Sequence, residues 1–249
     1  MRVLVAGAGG AIGRSLMSRL VAAGHAVVGL THGAEKARQL TQPHCEVVAA
    51  DGLDPVAVRR VVSAARPDVI VHQMTALAAS TDLRQFDRAF AMTNRLRTAG
   101  LDNLLAAGRA GGVRRIVCQS YCGWPYARIG NEIRRRRFPV IADGNGWWSF
   151  VHIEDAAAAT VLAIDRGRPG IYNIVDDEPA PVREWLPALA SMLGAKPPFH
   201  VPKWIARILA GNHLVTMMTE ARAGSNARAK LELGWRPIYA SWRTGFAAR

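Results

Sequence analysis

The feature that most constrains this chain is a glycine-rich segment near its start, between a short apolar run and an amphipathic one. Arg2–Ala6 is typical of a buried strand, and Ile12–Ala23 is typical of a helix. Gly7, Gly10 and Gly13 lie at this junction with Gly-x-x-Gly-x-x-Gly spacing. A helix N-terminus offers free backbone N–H groups to anions, and glycines let the backbone approach a phosphate closely. The order strand, glycine loop, helix therefore predicts a site for a dinucleotide pyrophosphate.

The first 120 residues continue this alternation of short β-branched runs and longer helical patterns. Strands that alternate with helices form a parallel sheet covered on both faces, with right-handed crossovers. We therefore predict an α/β fold with a doubly wound, Rossmann-like parallel sheet. The predicted strands are Arg2–Ala6, Ala26–Leu30, Glu46–Ala50, Asp68–His72 and Arg114–Gln119, and the predicted helices are Ile12–Ala23, Pro55–Ala65 and Leu83–Gly108.

The pattern changes after Ser120, where Tyr121–Gly146 is rich in glycine and arginine and shows no clear long helix. We therefore divide the chain into a dinucleotide-binding core, residues 1–120, and a shortened C-terminal substrate lobe, residues 121–249. Further strands are predicted at Ser149–Ile153 and Ile171–Val175, and helices at Glu154–Asp165, Trp185–Leu193, Trp204–Leu209 and, as the last element, Asn226–Leu233.

The end of the second strand indicates which dinucleotide is bound. An acidic residue about 20 positions beyond the loop would bind the ribose 2′-hydroxyl of NAD. Thr31, His32, Lys36 and Arg38 stand there instead, which favours the 2′-phosphate of NADP, with NAD possible. The alternative is that Lys36 and Arg38 only lie on the solvent-exposed face of the next helix.

Two further strand ends complete the predicted cofactor site. Asp51-Gly52 is placed to meet the adenine, although it is also a common turn pair. His72–Ala76 closes the fourth strand at its carboxyl end, where ligands bind in such sheets, and His72 itself is interpreted as structural. The cofactor residues predicted from these patterns are Gly7, Gly9, Gly10, Ala11, Ile12, Gly13, Thr31, His32, Lys36, Asp51, Gly52, Met74, Thr75 and Ala76.

Charge and composition limit the kinds of partner that the chain is expected to bind. The formal net charge is +13, which permits an anionic substrate or cofactor as well as nucleic acid. The dense run Arg134–Arg137 is interpreted as a solvated face, and no nucleic-acid-binding motif accompanies it. Cys45, Cys118 and Cys122 lack metal-ligand spacing, so no metal is predicted. No apolar run is long enough to span a bilayer, and we expect a cytoplasmic protein with a small-molecule substrate.

These residues resemble the extended short-chain dehydrogenases of the NAD-dependent epimerase/dehydratase type. The resemblance rests on the glycine loop, Asp51, the strand end VIVHQMTAL (69–77) and Ser120 in RRIVCQSY. Later landmarks are WSFVHIEDAA (148–157), IYNIVDDEP (171–179) and NARAKLELGWRP (226–237). It implies that Asn94, on the active-site side of its helix, is a further cofactor-binding residue and that Ser120 fixes a substrate oxygen. It also implies that a homodimer forms through helices like those at 83–108.

The chain departs from this family in one respect. Such enzymes hold a Tyr-x-x-x-Lys pair, whose tyrosine exchanges a proton with a substrate oxygen while the nicotinamide exchanges a hydride. No tyrosine here is followed four residues later by lysine, and only 31 residues separate Ser120 from His152. A crossover helix and a further strand do not fit in that interval. We infer that both are absent, by natural deletion or a truncated gene model, so that the sheet closes the gap or keeps an exposed edge.

The remaining candidates for chemistry are Ser120, Tyr121 and Tyr126, although aromatic packing of a loop also explains the two tyrosines. The resemblance implies an NAD(P)-dependent epimerase, dehydratase or reductase that acts on a nucleotide-sugar-like or other carbonyl or hydroxyl substrate. The missing pair leaves open an alternative, a catalytically impaired NADP-binding module or redox sensor. A third, minor hypothesis is a basic protein that associates with nucleic acid.

Overall fold

The computed structural model describes residues 1–77, 86–120 and 126–248. The first half alternates as expected, and the predicted strands and helices of this half are confirmed to within a few residues. The long helix predicted over Leu83–Gly108 is instead two helices that meet at Thr98, and a short helix between the second and third strands was not predicted. The elements are β1 (Arg2–Ala6), α1 (Ala11–Ala22), β2 (Ala26–Thr31), α2 (Ala34–Leu40), β3 (Cys45–Ala49), α3 (Pro55–Ala65), β4 (Val69–His72), α4 (Phe86–Arg97), α5 (Ala99–Ala110) and β5 (Arg115–Cys118).

The five strands form one parallel sheet in the order β3-β2-β1-β4-β5. In the central strand β1, Val3 lies opposite Val27 of β2 and Val69 of β4. Because side chains alternate along a strand, Val3 packs with α1 and α2 on one face, while Leu4 packs with α3 and α5 on the other. Both faces are apolar and covered by helices, which confirms the doubly wound sheet.

The second half of the chain contributes one helix to this core and forms most of a smaller lobe. Ala157 and Ile164 of the helix Ile153–Arg166 lie in the same apolar cluster as Leu16 of α1. The later elements are α6 (Tyr126–Arg134), β6 (Val140–Ile141), β7 (Trp147–Trp148), α7 (Ile153–Arg166), β8 (Ala180–Pro181), α8 (Val182–Met192), β9 (His200–Val201), α9 (Lys203–Thr219), a π-helical turn (Ala229–Leu233) and α10 (Trp242–Ala247).

Two strand predictions in this half are wrong. Ile171–Val175 forms no strand, and Ile171 is 82% exposed. A strand needs a neighbour for its backbone hydrogen bonds, and the described sheet ends at β5 with none beyond it. Ser149–Ile153 is also not a strand; the pairing occurs earlier, where β7 runs antiparallel to β8. The exposed sheet edge expected from the shortened interval after Ser120 is therefore present at β5.

The C-terminal lobe has its own core, built around buried Trp185 of α8 and Trp242 of α10. The prediction that Asn226–Leu233 is the last helix is wrong, since α10 follows it. Ser241 caps α10, and its hydroxyl accepts a hydrogen bond from the N–H of Arg243 at 3.1 Å. Within the described ranges, no helix combines the length and the apolar character that crossing a membrane requires.

Candidate functional site

At two positions of the loop between β1 and α1, only glycine fits. Gly7 has a φ of +98°, and a Cβ there would lie 2.6 Å from the carbonyl carbon of Gln73. A Cβ on Gly13 would lie 2.3 Å from the carbonyl oxygen of Gly7, whereas one on Gly10 would lie 3.2 Å from that oxygen. The loop therefore passes tightly beneath the start of α1, close to the end of β4.

The N-terminus of α1 suits an anion. Gly10 caps the helix without a side-chain hydrogen bond, and the first turn contains no acidic residue. The N–H groups of the first turn have no acceptor within the helix, and the helix dipole adds positive potential there. This cradle, which a Cβ at Gly13 would disrupt, fits the pyrophosphate of a dinucleotide.

The end of β2 lies beside this loop. Thr31 is buried, and a Cβ on Gly9 would lie 2.7 Å from its hydroxyl oxygen and 2.4 Å from Cε of Lys36. Lys36 is exposed and reaches the glycine loop through its methylene groups. The nearby carboxylate of Glu35 bonds instead with Arg38 and Gln39 on its own helix. The cation next to the loop is therefore Lys36 rather than Arg38.

His72 has the structural role expected of it. Its ring is 2% exposed, its Nδ1 accepts from the N–H of Met74 at 3.1 Å, and its Nε2 lies 3.0 Å from the carbonyl oxygen of Leu96. Burial lowers the pKa of His72, and the charge of Arg97 acts in the same direction. The imidazole is therefore neutral and fixes the turn that follows β4.

The predicted residues after β3 and β4 also lie at this edge of the sheet. Asp51 accepts from the N–H of Leu53 at 2.9 Å, in a tight turn. The N–H of Ala76 donates to the hydroxyl of Thr93 at 3.1 Å, and Thr93 is 1% exposed. Asn94, the neighbouring residue, is exposed. Sequence reasoning therefore missed the contact made by Thr93.

One cleft of about 2160 Å³ runs from the glycine loop to the C-terminal lobe. Every predicted cofactor residue except Asn94 lines it, and so does Ser120. The cleft also lies between the open edge of β5 and residues 167–176. The cleft thus adjoins both the glycine loop and the open edge of β5.

The three candidate catalytic residues are described to different extents. Ser120 is exposed at the carboxyl end of β5. Tyr121 lies outside the described residues, and Tyr126 begins α6 but its side chain is not described. Tyr239, which was not predicted, lines the cleft, with its ring centroid 3.9 Å from that of His152.

Asp176 is the residue of this cleft that sequence reasoning missed most completely. It is 5% exposed and lines the C-terminal end of the cleft. Burial raises its pKa to about 7, against the effect of hydrogen bonds from the backbone of Phe150 and Trp242, while the nearby charges of Glu178 and Asp177 raise it further. In the sequence Asp176-Asp177-Glu178 looks like a solvated acidic run, so nothing in it marked one member as buried.

Within the described ranges, no group of three or more histidine, cysteine or acidic residues has an arrangement that could hold a metal ion. The polar groups that line the cleft include the backbone of the glycine loop, the hydroxyl of Ser120, the Lys36 side chain and the buried carboxyl group of Asp176.

Comparison with known proteins finds a relative that matches nearly the whole chain. This chain is 37% identical over 306 aligned positions, with 98% of this chain and 99% of the relative covered, to a "3-diazoavenalumate denitrifying reductase" from a Streptomyces species. The chain has 249 residues, so more than fifty positions of that relative have no counterpart here. A gap of this size matches a missing helix, a strand and part of a lobe.

Solved structures share the fold at low identity. UDP-glucose 4-epimerase from Thermotoga maritima, solved with UDP-glucose, superposes with a TM-score of 0.74 at 16% identity and covers 99% of this chain and 96% of that one. The Thermus thermophilus enzyme of the same name, solved with NAD, gives 0.72 at 21% identity with the same coverage. The family described as "NAD dependent epimerase/dehydratase family" matches residues 3–128. The glycine loop, the parallel sheet and these matches agree, and the chain belongs to the NAD dependent epimerase/dehydratase family.

Proposed function

We propose that this protein is an NAD(P)H-dependent reductase whose acceptor needs no proton at an oxygen atom, with aryl diazonium compounds as the substrate class. One observation carries the proposal: the cleft keeps a complete glycine cradle for a dinucleotide, while the sequence has no Tyr-x-x-x-Lys pair. That pair serves substrates whose hydroxyl or carbonyl oxygen gains or loses a proton. A chain that keeps the cradle without the pair suits another kind of acceptor.

A diazonium carbon is such an acceptor. When bound, NAD(P)H supplies a hydride: a C–H bond forms, the C–N bond breaks with its electron pair leaving on N₂, and the dinucleotide is oxidised to NAD(P)⁺. The equation balances without a proton, so no acid is required. The name of the Streptomyces relative, a denitrifying reductase of a diazo compound, supports this substrate class.

The residues of this chain then bind and orient. The N–H groups at the start of α1 hold the pyrophosphate, and Lys36, whose methylene groups lie beside the loop, binds a 2′-phosphate. The Ser120 hydroxyl, at the carboxyl end of β5, serves as a hydrogen-bonding group for the substrate.

The direct test uses [4-²H]NADPH and 4-carboxybenzenediazonium, each stereoisomer of the labelled cofactor in turn. We expect N₂ release together with benzoate that carries deuterium from one isomer only, as measured by mass spectrometry. Incubation without protein controls for spontaneous reduction. A rate no higher than this control, or benzoate labelled equally by both isomers, would contradict the proposal.

The double variant Ser120→Ala/Tyr121→Phe separates this chemistry from the acid–base chemistry usual in the family. Because no proton is needed, we expect diazonium turnover to fall less than about ten-fold, the size of a lost orienting hydrogen bond. Proton transfer through these hydroxyls would instead contribute at least about a hundred-fold. Steady-state kcat measurements with the wild-type protein as reference distinguish the two, and a hundred-fold fall would reject the proton-free mechanism.

We further propose that NADP is preferred over NAD, because Lys36 lies beside the loop while the carboxylate of its neighbour Glu35 pairs with Arg38. Lys36→Gln should weaken NADPH binding at least about ten-fold while changing NADH binding less than three-fold, the loss of one charge-assisted contact to phosphate. Arg38→Gln is the matched control, since Arg38 bonds with Glu35. Calorimetric titrations give the dissociation constants for NADPH and NADH. If the two variants weaken NADPH binding equally, Lys36 is not the residue that binds the 2′-phosphate.

A second candidate is a dinucleotide-binding module without chemistry of its own, which the missing tyrosine–lysine pair also favours. It predicts tight NADPH binding without turnover of diazonium, carbonyl or nucleotide-sugar substrates. A nucleotide-sugar epimerase is less well supported, since moving a hydride from a sugar carbon requires a base for the hydroxyl proton.

A further inference from the structure

The C-terminal end of the cleft contains a cluster of aromatic rings around Phe150. Its ring centroid lies 5.5 Å from that of Trp185, 6.2 Å from that of Trp242 and 5.1 Å from that of Phe246. Trp148 extends the cluster, 4.9 Å from Trp185. All five rings line the cleft, and Trp148, Phe150 and Phe246 are only partly buried. The walls of this end are therefore aromatic and open to the same space as the glycine loop.

Three buried polar groups in this cluster have no partner among the described residues. They are Oδ2 of Asp176, Nε1 of Trp185 and Nε1 of Trp242. These residues are 5%, 0% and 1% exposed. Leaving a buried polar group unpaired costs about 1–3 kcal/mol, so three of them around one ring call for an explanation.

Asp176 differs from the two acidic residues that follow it. Asp177 pairs with Lys230, and Glu178 pairs with Arg243 and accepts from Ser241. Asp176 has backbone donors only: the N–H of Phe150 lies 3.4 Å from its Oδ1, and the N–H of Trp242 also hydrogen-bonds to it. Its second oxygen, Oδ2, is buried and has no hydrogen-bond partner among the described residues.

We infer that this cluster, Trp148, Phe150, Asp176, Trp185 and Trp242, is the substrate subsite and that it binds a planar aromatic ring with an oxygen acceptor such as a carboxylate. The rings stack against or edge onto the ligand ring. The indole N–H groups are donors, and so is the carboxyl group of Asp176 when it is protonated; its raised pKa allows this near neutral pH. The chemical identity of the ligand as a substrate rests on the proposed function, whereas the binding site itself does not.

The test is calorimetric titration of the cofactor-free protein at pH 6 with cinnamate, an unreactive planar aromatic acid. The matched ligand is 3-cyclohexylpropanoate, which carries the same acid without an aromatic ring. We expect cinnamate to bind at least ten-fold more tightly. Absence of cinnamate binding, or equal affinity for the two acids, would overturn the inference.

Variants connect this binding to the named residues. Asp176→Leu should weaken cinnamate binding at least ten-fold, while Asp176→Asn, which keeps a donor, should stay within about three-fold. Trp148→Leu, at a partly buried ring, should also weaken binding and serves if the leucine variant at 176 fails to fold. Trp204→Leu is the control, because Trp204 is 64% exposed on α9 and does not line the cleft. If the folded Asp176→Leu and Trp148→Leu variants bind cinnamate as tightly as the wild-type protein, the assignment is contradicted.

The experiments distinguish failure of the aromatic subsite from failure of the proposed reductase function. Cinnamate binding without diazonium turnover would leave the subsite standing and reject the reductase. Turnover that Asp176→Leu and Trp148→Leu leave unchanged would support the reductase and reject the subsite.

Discussion

Replacing Gly13 with alanine should lower the affinity for NADPH at least a hundred-fold. A Cβ at this position would lie 2.3 Å from the carbonyl oxygen of Gly7 and 2.9 Å from that of Ala8, both backbone atoms. The loop must open to admit it, and the N–H groups at the start of α1 then lose their alignment on the pyrophosphate. A hundred-fold loss corresponds to about 2.7 kcal/mol, comparable to one or two charge-assisted hydrogen bonds. Titration calorimetry measures the change.

Two further variants show whether the loss comes from the phosphate contact or from unfolding. Gly10→Ala places its Cβ 3.2 Å from the oxygen of Gly7, so a small shift accommodates it. We expect a melting temperature close to wild type and affinity at least ten-fold weaker, since the middle glycine of such loops faces the phosphates. Gly245→Ala in α10 is the control, because its Cβ would lie 3.8 Å from Cβ of Tyr239, an ordinary van der Waals distance. If Gly13→Ala binds NADPH like Gly245→Ala, this loop is not the dinucleotide site.

Replacing Asp176 with asparagine should change the free energy of unfolding, relative to wild type, more favourably at pH 8 than at pH 5. The expected difference between the two pH values is about 2 kcal/mol. Burial raises the pKa of Asp176 from 3.8 to about 7 in the folded state. Between these values the folded state binds more protons than the unfolded state, so the wild-type protein loses stability as the pH rises toward 7. Asparagine keeps the shape and the acceptor for the N–H of Phe150, and it carries no charge. Urea denaturation at the two pH values measures the difference.

Asp177 is the matched control for this experiment. Burial acts to raise its pKa, but hydrogen bonds from Lys230 and Asn226 outweigh this effect, and the net pKa is lowered. Its charged form is therefore favoured by folding, and Asp177→Asn should gain no stability at pH 8. A difference between Asp176→Asn and wild type that stays the same at both pH values would show that the carboxyl group is not buried in the way described.

One error and one omission in the sequence-based predictions concern neighbouring residues of the chain. Ile171–Val175 is β-branched and apolar, and local propensity alone predicts a strand there. It remains outside the sheet because the cleft separates it from the edge of β5, the last strand of the described sheet. Asp176 directly follows this segment, and its charge predicts exposure. The packing of Phe150 and Trp242 around it buries it instead.

The strand, glycine loop and helix at the start of this protein follow from local spacing alone, because residues that are neighbours along the chain form the phosphate cradle. The sequence also predicts the parallel sheet, through the alternation of β-branched and helical runs, and Lys36 as a cation near the loop. The packing of α2 against the loop is what brings Lys36, rather than Arg38, against Gly9. Tertiary packing alone gathers Phe150, Asp176 and Trp242 into one cleft, because contacts between residues so distant in the chain depend on how the lobe packs and leave no periodic signal in the sequence.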